Sequence, residues 1–198
     1  LAVLPEMFCC PYENKYFPEY AEPERGDTWE KCSRLAAEHG IYLVAGSMPE
    51  RDEAGNIYNT SYVFDRNGHQ IGKHRKMHLF DIDVKGGQYF KESDTLTPGD
   101  QVTVFDTGFG KMGLCICYDF RFPELARLMV DRDLNAGYHS WGHSIAADPW
   151  GKVLMEMEEK PAVKVVELDL DEVKKVREQL PLLKHRRGDI YALTTFSL

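Results

Sequence analysis

Long apolar runs are missing from this sequence. The longest, such as Leu1 to Leu4 and Ile145 to Ala147, are far too short to span a bilayer. Positive charge is in deficit: 24 lysines and arginines stand against 32 acids, a formal net charge of −8. An acidic chain lacks the concentrated basic face that nucleic-acid binding requires. The basic stretches Lys73 to Lys76 and Lys184 to Arg187 are too short and isolated to reverse that balance. Cys-x-x-Cys pairs are also missing, and Cys9, Cys10, Cys32, Cys115 and Cys117 form an odd set. In a chain of 198 residues, 43% of them hydrophobic, one core can form without staples, so free thiols and a reducing compartment are favoured. There is no internal repeat, no low-complexity stretch and no charged-then-apolar segment of secretory type. The expectation is a soluble, cytoplasmic, globular protein with neither membrane nor nucleic-acid partners. An organellar copy stays open.

What is present reads as a mixed α/β domain rich in strands. Leu1 to Leu4 is a continuous apolar run consistent with the end of a buried strand, and it begins without lead-in. Asp27 or Thr28 can cap a helix carrying Trp29, Cys32, Leu35 and Ala36, closed by Gly40. Ile41 to Gly46 reads as a strand. Ile57 to Phe64 and His69 to Lys76 read as two strands joined by the turn Asp65-Arg-Asn-Gly68. Val102 to Phe105 and Met112 to Cys117 form a second hairpin, and Phe122 to Val130 a helix with Pro123 in its first turn. Ser144 to Ala147 and Lys152 to Met155 make a third hairpin. Ala162 to Leu168 reads as a strand, followed by a helix from Asp169 to about Gln179. The pattern predicts two sheets covered by helices.

Cys117 ends the apolar run Gly113-Leu-Cys-Ile-Cys117, just before a helix. A strand that delivers a thiol to such a turn exposes it and aims backbone N–H groups at it, which lowers a thiol pKa and prepares part of an oxyanion site. The alternative is a buried core cysteine, the reading given to Cys115. Glu6, in Leu4-Pro-Glu6-Met-Phe8, sits at a strand end where a carboxylate can serve as general base; an ordinary loop glutamate is the alternative. Lys76, in His74-Arg-Lys76-Met-His78, can offer an ammonium to a developing oxyanion or be a surface lysine. His74/His78 and His139/His143 have i, i+4 spacing, but both pairs fall in strand or loop and no His-Glu-x-x-His motif occurs, so no metal site is expected. Adjacent Cys9 and Cys10 cannot bridge each other without strain. A cysteine–histidine protease remains compatible with composition.

Glu6, Lys76 and Cys117, in this order and with these neighbours, resemble the nitrilase superfamily of carbon–nitrogen hydrolases. The resemblance extends to Tyr42 to Ser47, Tyr58 to Tyr62, Thr97-Pro-Gly99, Trp141 to Ser144, Asp148 to Gly151 and Arg186 to Tyr191. The runs His78 to Asp83, Phe90 to Ser93 and Leu96 to Gly99 look most like the omega-amidase branch. The resemblance implies an αββα sandwich spanning 1–198 as a single domain, paired into homodimers or larger homo-oligomers. It implies catalysis by Glu6, Lys76 and Cys117 without metal or organic cofactor. It also implies that Tyr12 contacts a small amide substrate and that the Tyr118 N–H helps hold the oxyanion. The activity implied is amide hydrolysis with ammonia release through a cysteine thioester, most like an omega-amidase acting on 2-oxo-dicarboxylate monoamides such as 2-oxoglutaramate. A deaminated-glutathione amidase, an N-carbamoyl amidase and a catalytically dead, dimeric interaction protein are the alternatives.

Two departures from the family pattern stand out. The family's first strand and helix before Leu-Pro-Glu6 are absent. The chain also passes from Leu134-Asn135 straight to Ala136-Gly137, where the family places several tens of residues, expected to include a second active-site glutamate. Deleting central strands from a folded protein leaves unpaired edges and an uncovered core, a large cost against a typical stability of roughly 5–15 kcal/mol. A segment lying outside these 198 residues is therefore favoured over a true deletion.

Overall fold

The computed structural model describes residues 1–83, 89–131, 145–158 and 163–179. The chain divides into two compact units, Leu1–Leu134 and Asn135–Leu198. The first contains, in chain order, β1 (Ala2–Val3), α1 (Phe17–Tyr20), α2 (Asp27–His39), β2 (Leu43–Val44), β3 (Met48–Arg51), β4 (Ile57–Phe64), β5 (Gln70–Arg75), β6 (Asp81–Asp83), β7 (Tyr89–Lys91), β8 (Val104–Asp106), β9 (Lys111–Gly113) and α3 (Pro123–Asp131).

The eight residues of β4 are all buried, and every neighbouring strand is organised around it. Its end at Val63–Phe64 pairs antiparallel with β2, its start with β3, and its other edge with β5, while β1 lies parallel to β2. Strand alternation then sorts side chains to opposite faces. Tyr62 and Phe64 pack with Leu43, Ala45 and Met48 against Cys32 and Ala36 of α2. Val63 and Val44 point the other way, onto Phe105 and Leu114 of the β8–β9 hairpin. The far side of that hairpin, through Val104, Met112 and Cys115, meets Leu125 and Met129 of α3. The layers run helix, sheet, sheet, helix, which is the expected αββα order.

Helix α2 begins and ends for local reasons. The Thr28 N–H and hydroxyl both donate to the Glu22 carboxylate, at 2.8 and 2.6 Å, and so satisfy groups the first turn leaves free. Gly40 takes the left-handed conformation that ends the helix. Two other glycines act as backing for functional residues. Gly46 has φ +51°, and a β-carbon there would lie 2.0 Å from the Pro5 carbonyl oxygen, so the Glu6 loop can lie directly on this turn. The next residue, Ser47, pins that loop by accepting from the Met7 N–H at 3.0 Å. Gly99 packs equally closely on the Arg75 carbonyl and donates its N–H to Lys76 O at 2.8 Å.

Several elements differ from the sequence expectation. The strand predicted over Ile41 to Gly46 keeps only two paired residues, and both strands of the Val102–Cys117 hairpin are shorter than expected. A 3-10 turn, Cys117–Arg121, precedes α3. The β6–β7 hairpin and β3 were not anticipated.

In the second unit, β10 (Ile145–Ala147) and β11 (Val153–Glu156) pair antiparallel, and α4 spans Leu170–Gln179. Ala162 lies outside the described residues, and 163–168, expected as strand, are irregular, with Val163 and Val165 almost wholly exposed. A strand needs a ladder partner for its N–H and C=O groups, and among the described residues this segment has none. The Asn135/Ala136 junction, His139, His143, Trp141 to Ser144 and Lys184 to Tyr191 also lie outside the described residues.

Candidate active site

The sequence-predicted residues converge although they are far apart along the chain. Glu6 follows β1, Lys76 follows β5, and Cys117 opens the 3-10 turn after β9. The Lys76 ammonium, on a fully buried side chain, lies 2.9 Å from Glu6 Oε1 and 3.0 Å from the Glu92 carboxylate. A buried ammonium needs such partners, because burial alone penalises its charge. Burial pushes the Lys76 pKa down, but Glu6 and Glu92 together hold it above the ordinary lysine range, so it stays a charged donor.

Glu6 is only partly exposed and also accepts from Asn59 Nδ2 at 2.8 Å. Asn59 and Lys76 are brought together by the sheet, since the Lys76 N–H donates to Asn59 O at 2.8 Å. Cys117, an exposed residue, opens its turn within reach of the Glu6 charge, which acts on its thiol. Cys117 has φ +45°, a left-handed conformation that costs a non-glycine residue about 1–3 kcal/mol and tends to persist where function uses it. The turn presents the thiol and leaves the Tyr118 N–H without an acceptor inside its own helix.

The thiol differs from expectation in one respect. The turn was expected to lower its pKa, yet the pKa is pushed up to about 11. Partial burial of the sulfur contributes most and the Glu6 and Glu92 carboxylates add to it, while Lys76 opposes them. Burial and two carboxylates outweigh one ammonium, so the resting group is a neutral thiol with a base beside it. Alkylation of the substrate-free chain by iodoacetamide is accordingly expected to keep rising with pH through the ordinary thiol value of 9.0 toward about 11. A plateau at neutral pH would show a preformed thiolate instead.

Three residues of this cluster were not singled out from the sequence. Glu92 is fully buried, pairs with Lys76, and accepts from the Tyr12 hydroxyl and from the Phe80 N–H at 2.5 Å. Glu92 thus stands beside the lysine and precedes the cysteine in the chain. Asn59 stood in a segment read simply as a strand. Asp119, two residues beyond Cys117, is fully buried. A polar residue in mid-strand or just past the cysteine was the available signal, but neither reveals its partner.

Tyr12 lies in the cluster, its hydroxyl on Glu92 and 3.5 Å from Lys76 Nζ, its pKa raised by burial and by the Glu6 and Glu92 charges. The Tyr118 ring meets Phe80 and Phe122 edge-on, at 5.2 and 5.4 Å. Phe80 continues to Phe90, which packs on Tyr12, so an aromatic arc joins the two tyrosines. His74 and His78 turn ring nitrogens to Asp119 rather than to Cys117. Among the described residues no group of three or more His, Cys, Asp and Glu is arranged to hold a metal ion, and no helix is long and apolar enough to cross a membrane.

Comparison with known proteins gives the family. Residues 1–136 match the carbon–nitrogen hydrolase family. A hydrolase of Schizosaccharomyces pombe is 41% identical, with 96% of this chain and 72% of that protein covered. The chain belongs to the carbon–nitrogen hydrolase family. This carbon–nitrogen hydrolase is also 39% identical to the omega-amidase NIT2 of Homo sapiens, over 96% of its own length and 84% of the relative's. Among solved structures, Saccharomyces cerevisiae Nit3, a member of branch 10 of the nitrilase superfamily, aligns with a TM-score of 0.80 at 34% identity, covering 93% of this chain and 82% of that one. The match to the human protein runs over 232 residues, although the hydrolase described here has 198. The relative therefore holds residues within the matched span that have no counterpart here.

Proposed function

We propose that the protein is an amidase that hydrolyses small dicarboxylate monoamides, 2-oxoglutaramate being the favoured type, and releases ammonia. The observation that carries this reading is the Glu6 carboxylate, which is paired with the buried Lys76 ammonium and acts on the Cys117 thiol. Glu6 takes the thiol proton, and the sulfur attacks the amide carbonyl carbon. Lys76 Nζ and the Tyr118 N–H receive the oxygen as it becomes an oxyanion, and each such donor contributes on the order of a hundredfold or more in rate. Protonated Glu6 returns its proton to the leaving nitrogen, which departs as ammonia and leaves a thioester on Cys117. Glu6 then removes a proton from water, whose oxygen attacks the thioester; the acid leaves and the thiol is restored. Tyr12 borders the substrate, its hydroxyl fixed by Glu92. No step calls for a metal or organic cofactor.

We further propose that 1–198 forms one hydrolase domain that pairs with a second copy, and that the residues without counterpart fall after Asn135. The substrate class rests on the omega-amidase relatives. Ammonia release across a panel of small amides tests it, with 2-oxo-dicarboxylate monoamides expected to have the highest kcat/KM. Preference for deaminated glutathione or an N-carbamoyl compound would move the protein to another branch. Glu6→Gln is expected to abolish turnover, whereas substitution of His74 or His78 leaves the general base in place. Loss on histidine substitution with Glu6→Gln active would point to a cysteine–histidine hydrolase.

A further inference from the structure

Asp119 is fully buried, and its carboxylate is crowded with donors from two separate elements. One oxygen accepts from the Met77 N–H at 3.1 Å, the His78 N–H at 2.8 Å and His78 Nδ1 at 2.8 Å. The other accepts from the Ile116 N–H at 3.1 Å and lies 2.9 Å from His74 Nε2. Met77 directly follows Lys76, and Ile116 directly precedes Cys117. A single carboxylate thus ties the strand end that carries the ammonium to the turn that carries the thiol. It also returns a bond along its own turn, the Asp119 N–H donating to Ile116 O at 3.0 Å, which closes the backbone around the left-handed Cys117.

The surroundings of His74 fix what stands behind this carboxylate. Thr103 Oγ1 lies 2.8 Å from the Lys73 carbonyl oxygen, which can only accept, so the single hydroxyl hydrogen points there. His74 Nδ1, 3.2 Å from the same hydroxyl oxygen, must then carry a hydrogen and donate. On the opposite side of the ring, Nε2 faces a carboxylate already engaged as an acceptor by backbone N–H groups, which calls for a second hydrogen. Burial works against the Asp119 charge, yet bonds from His74, Ile116 and His78 hold its carboxyl below the usual aspartate range.

We propose that Asp119 is the positioning residue of the nucleophile: its carboxylate clamps the Cys117 turn to the end of the Lys76 strand, and a buried His74 with hydrogen on both ring nitrogens anchors that clamp. The inference rests on the amidase reading for its consequence in turnover, but the geometry can be probed without turnover.

Asp119→Asn separates the two halves of the clamp. Its amide oxygen can still accept from Met77 and His78, while its NH2 group meets the Ile116 N–H donor against donor. The expected result is a folded protein with an unchanged circular dichroism spectrum, kcat lowered on the order of a hundredfold and KM within about twofold, as misplacement of a reacting group produces. The rate of Cys117 alkylation by iodoacetamide should change in the same variant. Unaltered kcat and alkylation would overturn the proposal. His74→Gln, which removes the anchor alone, is expected to lower kcat about tenfold, and the double variant to lose no more than Asp119→Asn. Fully additive losses would overturn the coupling of the two residues, as would nitrogen NMR of the wild-type imidazole showing a bare ring nitrogen on His74. If Cys117→Ala retains ammonia release, the amidase reading falls by itself, and the alkylation comparison still decides the clamp.

Discussion

Cys117→Ala is expected to eliminate ammonia release, lowering kcat roughly 10⁴-fold or more, because a covalent route loses nearly all its advantage when its nucleophile is removed. The fold should survive. Cys117 is an exposed residue, and alanine carries the same β-carbon into the same left-handed conformation, so no new strain arises. Loss of activity with retained thermal stability would therefore report on chemistry. Retained activity would mean that the cluster around Glu6 and Lys76 is a structural ion pair and that the nucleophile lies elsewhere.

The second large effect is expected at Lys76, for a different reason. Lys76→Met nearly preserves side-chain volume, so packing changes little, but it removes the ammonium that offsets two carboxylates. Glu92 has no exposed surface through which water could compensate it. Breaking a buried pair by deleting one partner typically costs about 3–5 kcal/mol, most of it the penalty of the charge left behind. Thermal or denaturant unfolding should show that loss, and Lys76→Met/Glu92→Gln should recover much of it. Activity behaves otherwise. The single variant loses an oxyanion donor worth on the order of a hundredfold or more, and the double variant does not regain it. Recovery of turnover in the double variant would contradict the role given to Lys76.

The parts of this molecule legible from sequence are those governed by local pattern. Ile57 to Phe64 reads as a strand with its observed limits, because a segment rich in β-branched and aromatic residues and followed by the Asn67-Gly68 turn favours one. Gly40 marks the end of α2 through capping chemistry that acts over one turn, whereas its N-cap is Gly26 rather than Asp27 or Thr28, with no side-chain cap bond. Glu6, Lys76 and Cys117 were found through their neighbours, and the fold brings all three together. Contacts that join distant segments were not legible. Glu92 reaches Lys76 from 16 residues away, and Asp119 reaches His78 from 41, so no periodicity announces either. The thiol failed in the same way. Its turn alone argued for a lowered pKa, but burial of the sulfur, with two carboxylates from other parts of the chain adding to it, raised it instead. Residues 163–168 read as strand, but among the described residues they have no ladder to join, and Val163 and Val165 lie in solvent.

Covalent attachment of the acyl group at Cys117 is the step on which the proposed chemistry depends. The direct measurement is intact-protein and peptide mass spectrometry of the chain mixed with a 2-oxo-dicarboxylate monoamide and quenched in acid during turnover. The expected result is an adduct with the mass of the substrate's acyl group, formed with ammonia loss, carried by the peptide containing Cys117 and discharged when turnover is allowed to finish. Ammonia production with no adduct on that peptide, or with the acyl group on another residue, would contradict it.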